Sequence, residues 1–148
     1  ISDSLILGIG QDTKANQWGG VSQAGVKLTL FDVSDYSDPK EVATYNVSAE
    51  NSYTPVQNDH KAFLYIPKNN LIVLPVSEYY NTRGSETNFY ILEITEDDIV
   101  KKETLSHNQD YGNLLRSLYI GDELYTISSN QIVTYNFNTE DTTEVSIK

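Results

Sequence analysis

The sequence contains no cysteine and no methionine, few basic residues and little glycine. Its 148 residues include 10 Lys and Arg, 21 Asp and Glu, and 8 Gly. Without cysteine the chain can form neither a disulfide framework nor a cysteine-ligated zinc site. A formal net charge of −11 argues against nucleic-acid binding, which needs clustered Lys and Arg to contact phosphates. The same charge disfavours an anionic membrane surface.

Long apolar runs and targeting signals are also absent. No stretch approaches the roughly 18 consecutive apolar residues of a membrane span, so no transmembrane segment is expected. No signal peptide is visible. Because the chain starts at Ile1 and lacks methionine, we expect it to be an excised part of a longer product. Its hydrophobic content of 39% is enough for a packed core, which excludes a disordered acidic tail.

The apolar residues that are present fall into short runs separated by Asn, Asp, Gly, Ser and Pro. This punctuation predicts strands and turns, since helices would show a period near 3.6. Val, Ile, Tyr, Thr and Phe dominate the runs, as suits a pleated surface. The predicted strands are Leu5–Gly10, Val26–Val33, Glu41–Val47, Lys61–Ile66, Leu71–Val76, Asn88–Ile94, Ile99–Leu105, Leu115–Ile120, Glu123–Ser128, Gln131–Phe137 and Thr143–Ile147.

Several of these strands are apolar on both faces. Leu71–Leu74 and Phe89–Leu92 show no alternation with polar residues. A sheet with one solvated face should alternate, so these strands predict sheets covered on both sides. Stacked antiparallel sheets, in a propeller or a sandwich, would produce this pattern.

An internal repeat decides between these architectures. Leu64-Tyr65-Ile66, a polar turn and a second strand recur as Leu118-Tyr119-Ile120, a polar turn and a second strand. With strands labelled A to D, the chain has the order B-C-D, A-B-C-D, A-B-C-D. The predicted segments are a partial blade at 1–47, a blade at 60–105 and a blade at 114–148. Four strands in roughly 45–55 residues are typical of a propeller blade.

The predicted fold is therefore all-β, built from four-stranded antiparallel meander blades of a β-propeller. Two blades are complete, and three strands belong to another. Because propellers close with about 4–8 blades, the ring is incomplete. The remaining blades would come from the rest of the parent chain or from another chain.

The order of several short motifs resembles a known family. Asp32-Val33-Ser34-Asp35 with Asp38-Pro39-Lys40, Asp59–Leu64 with Leu71–Val76, and Arg116–Asp122 with Leu124–Ser128 resemble repeats of the β-propeller domain family of secreted archaeal and bacterial proteins. The resemblance implies a propeller with an extracellular or cell-surface location. It implies no chemistry that could be assigned to particular residues. The turn at Tyr36 and Ser37 is longer than in the common repeat, where Pro follows much sooner.

Function is expected on the face where the B–C and D–A connections emerge. The predicted long loops there are Gln11–Gly25, Ser48–His60, Ser77–Thr87 and Ser106–Leu114. Long connections in compact domains are often functional, and aromatics with a few polar groups are typical of recognition surfaces. These loops predict binding of a protein or carbohydrate ligand. The candidate binding residues are Trp18, Tyr53, Asp59, His60, Tyr79, Tyr80, Arg83, His107, Asp110 and Tyr111.

The histidines and the acidic turns have structural explanations as well. His60 is expected to brace a loop by hydrogen bonds, and His107 to lie in a solvated loop. Asp32, Asp35 and Asp38 are weak candidates for Ca²⁺, whose ligands are closely spaced oxygens. They lack the Asp-x-Asp-x-Asp-Gly pattern, and similar polar residues recur at each C–D turn. Recurrence favours turn formation, so no cofactor is expected.

Three functions remain open from the sequence. The favoured hypothesis is non-catalytic binding or scaffolding through the long loops. One alternative is a hydrolase of polysaccharide or peptide whose carboxylates converge near the propeller axis. The other is a purely structural spacer. No Gly-x-Ser-x-Gly or His-Glu-x-x-His string occurs.

The blade assignment also predicts burial of Leu64, Leu74, Leu92 and Leu118.

Overall fold

The structure, a computed structural model, describes residues 1–47, 51–80, 84–107 and 114–147. Within these ranges the regular structure is β-strand with a few 3-10 turns, and no helix is long and apolar enough to cross a bilayer. The strands are β1 Leu5–Ala15, β2 Val21–Asp32, β3 Lys40–Asn46, β4 Asn51–Tyr53, β5 Leu64–Ile66, β6 Leu71–Tyr80, β7 Gly84–Ile94, β8 Ile99–Ser106, β9 Leu114–Ile120, β10 Glu123–Ser128, β11 Gln131–Asn136 and β12 Thr142–Ser146.

The strands form three antiparallel sheets that follow the chain order. Sheet 1 has the order β1-β2-β3, and sheet 3 has the order β9-β10-β11-β12. Sheet 2 has the order β4-β6-β7-β8, with β5 also paired to β6. Apart from β4, which lies within the predicted loop Ser48–His60, this is the predicted B-C-D, A-B-C-D, A-B-C-D succession. The stack of open sheets confirms the all-β fold of an incomplete propeller.

The A strand of sheet 2 is shorter than the sequence predicts. The prediction began the strand at Lys61, whereas β5 starts at Leu64. A 3-10 turn over His60–Ala62 precedes it, because the Asp59 carboxylate accepts a hydrogen bond from the Lys61 backbone N–H. This side-chain cap competes with extended backbone and delays the strand.

The prediction of long B–C loops at Gln11–Gly25 and Ser77–Thr87 is wrong. Pairing of β1 with β2 continues to Ala15 opposite Val21, and pairing of β6 with β7 continues to Tyr80 opposite Gly84. The segments are polar, but a hairpin ladder is held by backbone hydrogen bonds and needs no apolar side chains. Two long hairpins therefore replace the expected loops.

One core lies between sheets 1 and 2. On β6, alternate residues Ile72, Leu74 and Val76 face sheet 1, where they meet Leu28 and Leu30 of β2. All five side chains are fully buried. At about 25 cal/mol per Å² of buried apolar surface, each contributes roughly 1.5–3 kcal/mol to folding.

A second core lies between sheets 2 and 3. The intervening residues Leu71 and Val73 of β6 face the other way, together with Phe89 of β7. They pack against Leu124 and Val133 of sheet 3. Sheet 2 is therefore covered on both faces, as its two-sided apolar strands predict.

Burial of the four predicted core leucines is confirmed for two of them. Leu74 and Leu92 are fully buried in sheet 2, and Leu64 is half-buried. The prediction for Leu118 is wrong, since its side chain is 39% exposed. Leu118 pairs with Tyr125, and both side chains point away from sheet 2 on the last sheet of the stack. The repeat placed it correctly in a strand, but nothing in the described chain covers that face.

We expect Leu92→Ala to lower the free energy of unfolding by about 2–5 kcal/mol, because it leaves a cavity in the first core. Leu118→Ala is the control, since it truncates the same residue type on an exposed face and should cost under about 1 kcal/mol. Urea denaturation followed by circular dichroism measures both. Equal losses for the two variants would contradict the stacking described above.

Candidate functional site

The short strand β4 joins the two long hairpins towards one end of the strands. Ser52 lies opposite Glu78 of β6, and its hydroxyl accepts a hydrogen bond from the Val26 N–H of β2 at 2.8 Å. The Ser52 carbonyl accepts a further bond from the Gln11 side chain of β1 at 3.2 Å. The two hairpins are therefore joined by polar contacts from one strand, at Gln11 and Val26 of the first hairpin and beside Glu78 of the second.

A buried carboxylate lies directly behind this joint. Glu78 is 3% exposed and accepts hydrogen bonds from the Tyr90 hydroxyl at 2.6 Å and from the Tyr80 hydroxyl at 3.0 Å. Burial, and then the hydrogen bond to Glu78, raise the pKa of Tyr90 above its usual range. Each carboxylate oxygen thus has a donor, as a buried charge requires.

The Glu78 cluster was missed by the sequence analysis. Its only sequence signal is an acid that follows the apolar run of β6. Tyr80, a predicted binding residue, belongs to this cluster and packs against the first core.

Two predicted tyrosines are exposed on the opposite side of the β4–β6 ladder. Tyr53 pairs with Ser77, two residues before Tyr79, so the two aromatic side chains are diagonal neighbours on one face. Tyr79 is 54% exposed, and the Tyr53 hydroxyl accepts a hydrogen bond from the Asn58 amide at 3.0 Å. These rings cover little of the core and remain available to a ligand.

Trp18 occupies the tip of the β1–β2 hairpin and is 86% exposed. The tip is ordered by the Asn16 side chain, whose oxygen accepts hydrogen bonds from the backbone N–H groups of Trp18 and Gly20. The indole is therefore presented on a structured turn. Trp18 belongs to sheet 1, whereas Tyr53 and Tyr79 lie on the side of sheet 2 that faces sheet 3. We call these three residues near the hairpin ends the hairpin-end surface.

Asp59 and His60 lie beside the A strands and have different environments. Asp59 forms an ion pair with Arg116 of β9 at 2.9 Å, and this hydrogen bond holds the pKa of the carboxyl below its usual range. Asp59 therefore links sheet 2 to sheet 3. The His60 side chain is exposed and borders an apolar groove of about 420 Å³ along β1, lined also by Ile1, Ile6, Leu7, Ile9, Val56 and Phe63. Asp59 provides the side-chain bracing that was expected of His60.

The prediction that His107 lies in a solvated loop is wrong. Its side chain is 4% exposed and packs against Phe89, with ring centroids 5.4 Å apart. Its Nε2 lies 2.9 Å from the Thr126 hydroxyl, which itself donates to the Val133 carbonyl. Because the Thr126 hydroxyl proton points to the Val133 carbonyl, the hydroxyl oxygen accepts a hydrogen bond from His107. His107 therefore carries its proton on Nε2, and Nδ1 is the unprotonated nitrogen. Burial lowers the pKa of His107 to about 4.

The acidic C–D turn uses its side chains locally. Asp32 accepts a hydrogen bond from the Ser34 N–H, and Asp35 accepts two from Ser37. These bonds lower the pKa values of both carboxyls. Asp38 lies 3.5 Å from the Lys40 ammonium. Such contacts are those of turn-forming residues.

Three predicted binding residues, Arg83, Asp110 and Tyr111, lie outside the described residues. At the other end of the strands, a cleft of about 840 Å³ that the sequence analysis did not predict lies among the turns of sheets 1 and 2. Its lining includes Asp32, Glu93, Glu96 and Asp97. Across the described ranges, no group of three His, Cys, Asp or Glu side chains is arranged to hold a metal ion.

Comparison with known proteins agrees with this architecture. The sequence matches the β-propeller domain family over residues 1–140. The chain belongs to this family. The propeller segment is 29% identical over 132 residues to an uncharacterised protein of Methanocaldococcus jannaschii, covering 89% of this chain. It is 28% identical over 138 residues to an uncharacterised protein of Archaeoglobus fulgidus, covering 93% of this chain. The segment spans 18% of the length of each relative.

The buried His107 predicts a pH dependence for this propeller segment. With a pKa of about 4 in the fold and 6.5 when unfolded, His107 takes up its proton more readily in the unfolded chain. The stability that the neutral, buried His107 contributes is therefore fully present above pH 6.5. It is lost as the pH falls towards 4, because the unfolded chain then binds a proton that the folded chain does not. We expect a loss on the order of 2–3 kcal/mol between pH 7 and pH 4. Urea denaturation at several pH values measures it.

The matched controls are His107→Gln and His60→Gln. Glutamine keeps a neutral donor near Thr126, so His107→Gln should lose less stability than the wild type between pH 6.5 and 5. His60→Gln, at an exposed position, should follow the wild type. A His107→Gln profile parallel to the wild-type profile would refute the assignment.

Proposed function

We propose that this propeller segment is a non-catalytic binding or scaffolding module that recognises a protein or carbohydrate ligand through the hairpin-end surface. One observation carries the proposal. Two long hairpins extend from neighbouring sheets, β4 joins them through Gln11 and Val26 of the first and Glu78 of the second, and exposed aromatic rings lie near the hairpin ends. Within the hairpin-end surface, Trp18 and Tyr79 are the most exposed rings, at 86% and 54%.

The aromatic rings favour recognition over a packing role. An indole that is 86% exposed contributes little burial to folding, although Trp can bury a large apolar surface. Tyr and Trp are the residues that most often anchor binding interfaces, because they offer large contact areas at a small cost in side-chain entropy. The rigid ladder beneath them reduces the ordering cost of binding.

The chemistry near this surface favours binding over hydrolysis. Hydrolysis of a polysaccharide would require two carboxyl groups facing one bond at a suitable separation. The buried carboxylate near the surface, Glu78, is engaged by two tyrosine hydroxyls, and Asp59 is engaged by Arg116. These contacts stabilise the sheets that carry the surface.

The proposal includes an extracellular or cell-surface location for the protein. This part rests on the resemblance of the turn and strand motifs to secreted propeller repeats. Protease treatment of intact cells, followed by immunodetection of the protein, tests it. Protection of the protein until the cells are lysed would contradict the location.

We expect Trp18→Ala combined with Tyr79→Ala to weaken ligand binding at least about tenfold, because both anchors are removed. The melting temperature should change by less than about 2 °C, since neither ring is buried. Oligosaccharide and peptide arrays probed with the wild-type chain supply the ligand, and surface plasmon resonance compares the variants.

Two single variants serve as controls. Tyr36→Ala removes an exposed aromatic ring from the β2–β3 turn, at the other end of the strands, and should bind as the wild type. Tyr80→Ala should lower the melting temperature, because it removes a donor to Glu78 and part of the first core. The proposal fails if the double variant keeps wild-type binding.

A further inference from the structure

The β6–β7 hairpin of sheet 2 is longer than the neighbouring β10–β11 hairpin of sheet 3. Leu71 of β6 and Glu123 of β10 follow equivalent turns, so Ser77 lies at the level of Ser129, in the β10–β11 turn. The ladder of β6 with β7 continues for three more pairs before it turns. At about 3.3 Å per residue, sheet 2 therefore extends roughly 10 Å beyond sheet 3 at this end.

The extension presents side chains on the side of sheet 2 that faces sheet 3. Because side chains alternate along a strand, Ser77 and Tyr79 lie on the same side as Val73, which packs against sheet 3. Their cross-strand partners in β4 and β7 share this side. We call this group of residues the sheet 2 ledge. It consists of Asn51, Tyr53, Ser77, Tyr79, Ser85 and Thr87.

The ledge is open because the hairpin of sheet 3 is short. Sheet 2 is the middle sheet, and sheets 1 and 3 pack on its two sides. A further sheet stacked on sheet 3 would lie about 10 Å farther from the ledge, and one stacked on sheet 1 would lie on the opposite side. The exposure of the two rings, 38% for Tyr53 and 54% for Tyr79, is therefore set within this segment.

On the ledge, aromatic rings alternate with uncharged hydrogen-bonding groups. Tyr53 lies opposite Ser77 and Tyr79 lies opposite Asn51, so the two tyrosines are diagonal neighbours roughly 7–8 Å apart. The Asn58 amide donates a hydrogen bond to the Tyr53 hydroxyl at 3.0 Å, which restricts the movement of that ring. One extended ligand can therefore contact both rings and the polar groups between them.

The ledge carries no charged side chain among the described residues, although the whole chain has a net charge of −11. The two acids of the extended hairpin, Glu78 and Glu86, lie opposite each other on the other side of the sheet. The described part of the ledge also has no aliphatic side chain, Arg or Met. Because protein interfaces are enriched in Arg and Met and depleted in Ser, this composition disfavours a protein partner.

Neutral sugars match the chemistry of the ledge. Their C–H bonds stack on aromatic faces, which carry the negative part of the ring quadrupole, and their hydroxyl groups pair with amides and hydroxyls. We propose that the sheet 2 ledge binds a neutral polysaccharide, with sugar rings stacked on Tyr53 and Tyr79 and sugar hydroxyls hydrogen-bonded to Asn51 and Ser85. This inference rests on the proposed function and names the ligand class for part of the hairpin-end surface. Anionic polysaccharides are disfavoured, since the chain itself is strongly acidic.

Affinity electrophoresis of the wild-type chain tests the ligand class. The native gels contain a neutral glucan, mannan, xylan or galactan, or the anionic polymer polygalacturonate. At least one neutral polymer should retard the chain, and polygalacturonate should not. Because no ion pair forms, the affinity for the retarding polymer, measured by calorimetry, should change less than about twofold between low and high salt. Retardation by polygalacturonate alone, or by none of the polymers, would overturn the proposal.

Variants of Tyr79 test whether its ring stacks on the sugar. Tyr79→Ala should weaken binding of the retarding polymer at least about tenfold, because the ring is lost, whereas Tyr79→Phe keeps the ring and should stay within about threefold of the wild type. Tyr36→Ala removes an exposed ring at the other end of the strands and should bind as the wild type. Both tyrosines are more than half exposed, so circular dichroism should show an unchanged fold. Wild-type affinity in Tyr79→Ala would contradict the proposal.

The same variants separate this inference from the proposed function. The wild type could bind an array peptide, lose it in Tyr79→Ala, and bind none of the neutral polysaccharides. That result would leave the proposed function standing and overturn the inference about sugars. If neither a peptide nor a polysaccharide binds through the hairpin-end surface, both the inference and the proposed function fail.

Discussion

The structure depends on covering sheet 2 on both faces. Neighbouring residues of β6, such as Leu71 and Ile72, belong to different cores, so the strand has no face that water can solvate cheaply. Sheets 1 and 3 each supply one cover. Their own outward sides are then the unsatisfied surfaces of the stack, which is why exposed aliphatic residues such as Ile6 and Ile120 concentrate there.

Apolar composition let the sequence predict most strands and their order, but it could not predict how far the hairpins extend. In Gln11–Lys14 the side chains are polar, and the ladder is held by backbone hydrogen bonds that leave no signal in the composition. β4 is harder still. In Asn51-Ser52-Tyr53 only Tyr53 favours a strand, and the segment is placed by contacts such as the Ser52 bond to Val26, which links residues distant in sequence.

Burial was predictable only where both neighbours of a strand were known. Leu64 and Leu118 hold the same position in the repeat, yet one is half-buried and the other is exposed, because only the first has another sheet beside it. For His107 the error has the opposite direction, since it was predicted to be solvated and is buried. Its polar sequence neighbours indicated solvent, but the end of β8 directs it between Phe89 and Thr126. The sequence identified Trp18, Tyr53 and Tyr79 as exposed aromatics, whereas the buried carboxylate of Glu78 behind them depends on two tyrosines brought together by folding.

The surface proposed to bind a ligand is distinct from the surfaces on which further sheets could stack. The hairpin-end surface lies towards one end of the strands, whereas the outward sides of sheets 1 and 3 lie at the two ends of the stack. A sheet added to the stack would cover Ile120 without covering Trp18. It would also bring further hairpin ends alongside the first, so several weak aromatic contacts could act together on one extended ligand. Assembly would thereby raise the avidity of the surface without changing any residue in it.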